Sequence, residues 1–152
     1  MTRNKSWLFA AAALAATAMP ASATMISYKA DLRPLGPTSA NGTASLIYDS
    51  ATDLLTVRIL ATGLDDGVHL QHIHGTFGPG GAPSDAVTPN VAEDDADGDG
   101  FVELAEGFPK YGAILLGLSD PSGAFPTSNL GELSFENVYD LGDPGIDEEP
   151  AK

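Results

Sequence analysis

The chain contains no cysteine, so it has no disulfide, no thiolate nucleophile and no thiolate-held zinc or iron–sulfur centre. Histidine is almost as scarce, with three in 152 residues. Positive charge is low as well. Seven Lys and Arg stand against 21 Asp and Glu, a net charge of −14. That balance argues against sequence-independent binding to nucleic acid or to an anionic membrane, because both need clustered basic side chains. Beyond the first two dozen residues there is no long apolar run, so no membrane span is expected. What the chain does have is 17 Gly and 11 Pro, which favour many turns over long helices. Its 43% hydrophobic content is ordinary for a globular protein and separates it from disordered acidic tails.

The N-terminus reads as an address. Arg3 and Lys5 precede Trp7-Leu8-Phe9 and an Ala/Leu run to Ala18. Pro20 breaks the run, and Ala21-Ser22-Ala23 fits a small-x-small cleavage site. Residues 1–23 are therefore expected to be a signal peptide cleaved near Ala23, which places the chain in a periplasm, on a cell surface or in the medium. Outside the cytosol calcium is plentiful, and a cysteine-free domain can use it in place of covalent staples. The expected organisation is a β domain over 24–141 and an acidic, frayed tail over 142–152.

The pattern within that domain is one of short strands. Ile26–Leu32 alternates, with Ile26, Tyr28, Ala30 and Leu32 on one face. Thr43–Tyr48 and Leu54–Ala61 are rich in β-branched and aromatic residues and flank the turn-like Asp49–Asp53, which predicts a hairpin. Val68–Gly75 reads as one further strand, Thr76–Asp99 as a long loop, Tyr111–Leu118 as a buried strand and Gly131–Tyr139 as a last strand. The spacing predicts an all-β fold, an antiparallel Greek-key sandwich or barrel with a long loop insertion.

All three histidines fall in Gly67-Val68-His69-Leu70-Gln71-His72-Ile73-His74-Gly75. Residues two apart share a strand face. His72 and His74 would then present two imidazoles side by side, a usual way for a sheet to offer nitrogen ligands to copper or zinc. His69 has the opposite parity and would point away. This segment resembles the copper-ligand strand of Cu/Zn superoxide dismutases. A closer resemblance is to the CHRD (chordin-type) domain family, whose pattern is a strand hairpin ending in Gly-Leu, a short turn and His-Ile-His-Gly. Here those elements are Asn41-Gly42-Thr43-Ala44-Ser45-Leu46, Leu54–Leu64 and His72-Ile73-His74-Gly75. The dismutase likeness implies His72 and His74 as copper ligands and His69 as a buried structural histidine supporting them. The departures are large. No histidine follows His74, the last Arg is Arg58 where dismutases carry a catalytic Arg near the C-terminus, and there is no Cys. A strongly negative surface would also repel superoxide. The expectation is a retained fold without the enzyme.

The acidic stretch Asp95-Ala96-Asp97-Gly98-Asp99-Gly100-Phe101-Val102-Glu103-Leu104-Ala105-Glu106 matches the twelve-residue calcium loop of EF-hand and dockerin-like proteins. Asp95, Asp97 and Asp99 take the first, third and fifth places, and Gly100 the sharp turn. Phe101 would give its carbonyl, Val102 is the apolar eighth residue, Glu103 can act directly or through water, and Glu106 is the bidentate twelfth. Ca²⁺ wants about six to eight oxygens in flexible geometry, and alternating Asp side chains on a tight turn supply them. Pro89 before the loop, with Gly107 and Pro109 after it, argues against long flanking helices. Ser45, Ser119 and Ser122 have no base nearby in sequence, so a Ser-His-Asp hydrolase finds no support. Two functions are expected from these readings. One is an exported, non-enzymatic CHRD-like domain stabilised by Ca²⁺, binding an extracellular protein or polysaccharide. The other is a dismutase-like metalloprotein that carries copper or zinc on His72 and His74.

Overall fold

The structure is a computed structural model that describes residues 24–144 and 146. The expected signal peptide lies outside them, as does most of the acidic tail. The first three strands are β1 (Met25–Leu32), β2 (Asn41–Asp49) and β3 (Leu54–Thr62). They form an antiparallel meander, with Met25 opposite Asp49 and Asp49 opposite Leu54. The β2–β3 turn is set locally. Asp49 accepts the Ala51 amide on its side chain at 2.9 Å, and Asp53 takes a positive φ of 54°. The hairpin expected from Asp49–Asp53 is thus present.

Two two-residue strands, β4 (Gly67–Val68) and β6 (Pro83–Ser84), accompany β5 (His72–Phe77). A one-turn helix α1 (Val91–Asp94), a helix α2 (Leu104–Tyr111), β7 (Ala113–Gly117), β8 (Thr127–Ser128) and β9 (Glu132–Asp140) complete the chain. β9 returns beside β3, giving a four-stranded sheet in the order β1-β2-β3-β9. A three-stranded sheet runs β6-β5-β7, and β4 pairs with β8. The fold is all-β with antiparallel sheets, and the sheets stay open where a barrel would close.

The core lies between the two larger sheets. Leu55, Val57 and Ile59 of β3 and Leu133, Phe135 and Tyr139 of β9 bury against Leu116 and Leu118. Val57 is 1% exposed, and its burial stabilises the fold by about 1.5–3 kcal/mol. Ile146, in the segment expected to fray, packs against this cluster.

Three expectations need correction. Val68–Gly75 is not one strand. β4 pairs with β8, β5 pairs with β7, and His69–Gln71 between them turn elsewhere: the His69 amide donates to Pro126 O (2.9 Å), and Gln71 O accepts from the Leu118 amide (2.8 Å). Thr76–Asp99 is not wholly loop, since it holds the end of β5, a 3₁₀ turn at Pro79–Gly81, β6 and α1. Tyr111 ends a helix; the buried strand starts two residues later. That helix forms despite Gly107 and Pro109 because its first turn is closed by Glu103 and Glu106.

Candidate metal centre

The loop between α1 and α2 is wound by its own carboxylates. Asp95 accepts the amides of Gly98 (2.7 Å), Asp99 (3.2 Å) and Gly100 (2.8 Å). Asp97 accepts the Asp99 amide at 3.2 Å, and Asp99 the Phe101 amide at 2.9 Å. Gly100 holds φ of 93°, a conformation that a side chain would strain. Glu106 reaches back across the whole loop and accepts the amides of Ala96 (2.7 Å) and Glu103 (3.1 Å). Ligand oxygens of Asp95, Asp97 and Asp99 lie within 4.8 Å of one another, and so do those of Asp97, Glu103 and Glu106. Five of the six expected calcium ligands are therefore brought together through their side chains. Phe101, expected to act through its carbonyl, directly follows the Gly100 turn, where its amide donates to Asp99.

So many carboxylates in contact perturb one another. The Glu103 carboxyl is pushed up to about 7, first by its hydrogen bond with the Glu106 side chain. Glu106 is lowered by the same contact and by the amides it accepts.

The loop is docked at both ends. The Val102 amide donates to Leu35 O at 2.9 Å. The Phe101 ring covers Gly36 so closely that a Cβ there would lie 2.2 Å from the ring. Lys110 donates to Glu93 and to Asp94, each at 2.8 Å, which braces α1 against α2. Asp94 is held below its ordinary 3.8, first by Lys110 and then by the Asn90 amide, which donates to it at 2.7 Å. Lys110 is raised by the same pair. A depressed carboxyl contributes above its ordinary value and is lost as pH falls through the lowered one. The brace is therefore intact at neutral pH; it opens in acid as Asp94 takes up a proton, and in strong base as Lys110 loses one. The Asn90 amide resonance should titrate with a midpoint below 3.8, and Lys110→Met should move that midpoint upward. An unmoved midpoint would mean Lys110 does not act on Asp94.

The histidines do not converge as three. The His69 ring Nε2 lies 2.9 Å from Asp65 O and 2.9 Å from Ser128 Oγ, and Ser128 is 2% exposed. His69 thus ties the β4 turn to β8, a structural role. His72 and His74 do lie together, with ring centroids 6.0 Å apart and planes at 84°. A register shift between Ile73 and His74 interrupts the simple strand alternation from which the pair was expected, yet the two rings stay adjacent. His74 Nδ1 donates to Gly112 O at 3.0 Å, and its ring packs on Tyr111 at 4.5 Å. Since a carbonyl only accepts, Nδ1 is the donor in this contact, an arrangement that in a neutral ring leaves the lone pair on Nε2. Among the described residues, no His, Asp or Glu completes a three-ligand cluster around the pair.

Ser128 and Lys110 escaped the sequence reading. Ser128 meets His69 across 59 residues, and nothing local announces it. Lys110 had a signal, being the one cation close behind an acidic loop. Comparison with protein-family models, with curated proteins and with solved structures finds no match to this chain.

Proposed function

We propose that this chain is an exported, non-enzymatic β-domain protein of CHRD type whose loop 95–106 binds one Ca²⁺, and that it serves as a binding or structural module for an extracellular protein or polysaccharide. The observation that carries the calcium assignment is the convergence of the carboxylate oxygens of Asp95, Asp97, Asp99, Glu103 and Glu106 in two overlapping groups within 4.8 Å. The donor set is all oxygen, as a hard cation prefers. Asp95, Asp97 and Asp99 would supply side-chain oxygens, Phe101 its carbonyl, Glu103 an oxygen or a bridging water, and Glu106 both carboxylate oxygens. The all-β antiparallel frame and the His-Ile-His-Gly element support the family assignment. Calorimetric titration should give one Ca²⁺ per chain, with Glu106→Gln weakening it by at least about tenfold. Absence of heat, together with unchanged amide shifts over 95–106, would overturn the assignment.

A second reading has one observation in its favour. His74 spends Nδ1 on a backbone carbonyl and keeps Nε2 available, as metal-binding histidines do. His72 and His74 would then hold Cu²⁺ or Zn²⁺ as a pair. If so, the His72→Ala/His74→Ala double variant should bind Cu²⁺ at least about tenfold more weakly than wild type. Equal affinity would dismiss the pair. The copper-loaded protein is expected to dismutate superoxide no faster than free copper does.

A further inference from the structure

The four-stranded sheet is covered unevenly. Across it, Tyr28 lies opposite Leu46, and Leu46 opposite Val57. Val57 is sealed by the second layer, yet Tyr28 on the same face is 61% exposed. Ile26 and Leu32 flank it and are exposed as well. Among the described residues β1 is the last strand of the sheet, and all eight of its residues are exposed.

The ladder determines which backbone groups of β1 are spare. The Ser50 amide donates to Thr24 O at 3.2 Å, one step beyond the ladder and in its register. Thr24 is therefore at a hydrogen-bonded position, and alternation places Ile26, Tyr28, Ala30 and Leu32 at the others. The amides and carbonyls of Met25, Ser27, Lys29 and Asp31 consequently point outward from the sheet edge. Natural edges are usually blunted by shortness, proline, bulges or several lysines. β1 has eight residues, no proline, an unbroken register and a single Lys.

The two charges on β1 are of opposite sign and two residues apart. A two-fold axis at Ala30 would set Lys29 opposite Asp31 of a second copy, twice, and Tyr28 opposite its Leu32, twice. It would also place outward-pointing residues opposite outward-pointing residues, as an antiparallel pair requires. Moving the axis to Lys29 would put Lys29 against itself. Moving it to Tyr28 would leave both charges facing uncharged residues. Only the axis at Ala30 pairs both charges of the strand with their opposites while setting Tyr28 against Leu32; Ile26 then falls opposite Pro34, just beyond the strand.

We propose that β1 is a self-complementary docking edge on which a second copy of this chain adds antiparallel about Ala30, fusing the two four-stranded sheets into one and covering the strip formed by Ile26, Tyr28 and Leu32. The interface is isologous, so it closes as a dimer and does not grow into a fibre. It is independent of the calcium assignment.

Sedimentation equilibrium of the exported chain at about 0.15 M salt, where long-range repulsion between acidic copies is screened, tests this. Wild type should show a concentration-dependent monomer–dimer equilibrium. Lys29→Asp and Asp31→Lys should each weaken it about tenfold or more, since each sets like charges directly opposite one another twice. The double variant Lys29→Asp/Asp31→Lys should restore dimerisation to within a few-fold of wild type. Ser27→Pro removes only an outward amide and should abolish the dimer while leaving the circular dichroism spectrum of the monomer unchanged. A wild-type chain that is monomeric at every concentration, a dimer indifferent to the single reversals, or a double variant that stays monomeric would each overturn the proposal.

Discussion

Saturating Ca²⁺ should raise the midpoint of thermal unfolding by about 10 °C over the same protein in EGTA. An ion that binds only the folded state contributes RT ln(1 + [L]/Kd), about 2.7 kcal/mol at a hundredfold excess over Kd. In a domain of this size each kcal/mol moves the midpoint by about 3–5 °C. The gain reaches the sheets because the loop is tied to them: Val102 is bonded to Leu35 in the β1–β2 connection, and the helix that leaves the loop is followed by Gly112, whose carbonyl holds His74 of β5. Without the ion, the carboxylates of Asp95, Asp97, Asp99, Glu103 and Glu106 face one another, with Lys110 committed to Glu93 and Asp94. Mg²⁺ should give a smaller shift, since its octahedral demand fits this flexible set poorly. Glu106→Gln should remove most of the calcium effect. Equal midpoints in Ca²⁺ and EGTA would dismiss the calcium reading.

Gly112→Ala should destabilise the protein by about 3–5 kcal/mol, read as a loss in urea unfolding free energy. Gly112 joins α2 to β7 at φ of 80°, in the region that side chains avoid. A Cβ there would lie 2.1 Å from Gly75 O and 2.7 Å from Gly75 C. Both are backbone atoms of β5 and cannot swing aside. The residue also closes the helix, its amide donating to Phe108 O at 2.8 Å. Gly123→Ala separates strain from collision. Its φ is 85°, but an added Cβ would meet no atom within 4 Å. It should cost only about 1–2 kcal/mol, the price of the left-handed conformation alone. Equal losses at the two positions would show that the close approach of Gly112 to β5 does not limit stability.

Much of the sheet is written into local sequence. Ile26, Tyr28, Ala30 and Leu32 alternate because one face of β1 continues the face of Val57, and Asp49–Asp53 encodes its turn through side-chain bonds to nearby amides. The acidic loop is legible for the same reason, since every bond that winds it spans at most ten residues. What was not legible depends on partners far along the chain. His69–Gln71 leave the strand because Pro126 and Leu118 supply their backbone bonds. His69 turns structural because of Ser128. The helix α2 was hidden by Gly107 and Pro109, whose low propensity is overcome by the Glu103–Glu106 start and by the Tyr111 hydroxyl, which donates to Leu104 O at 2.8 Å.

The place of β9 in the sheet governs when this protein can fold. β3 supplies Leu55, Val57 and Ile59, and their main companions on the same sheet, Leu133, Phe135 and Tyr139, come from the last strand. Residues 54–62 must wait for residues 132–140, so a nascent chain cut off before β9 has half a core and one side of its central ladder open. Such non-local pairing slows folding, because a long loop must close before the contact is made. A growing chain therefore cannot close its central ladder until the residues of β9, 132–140, are available.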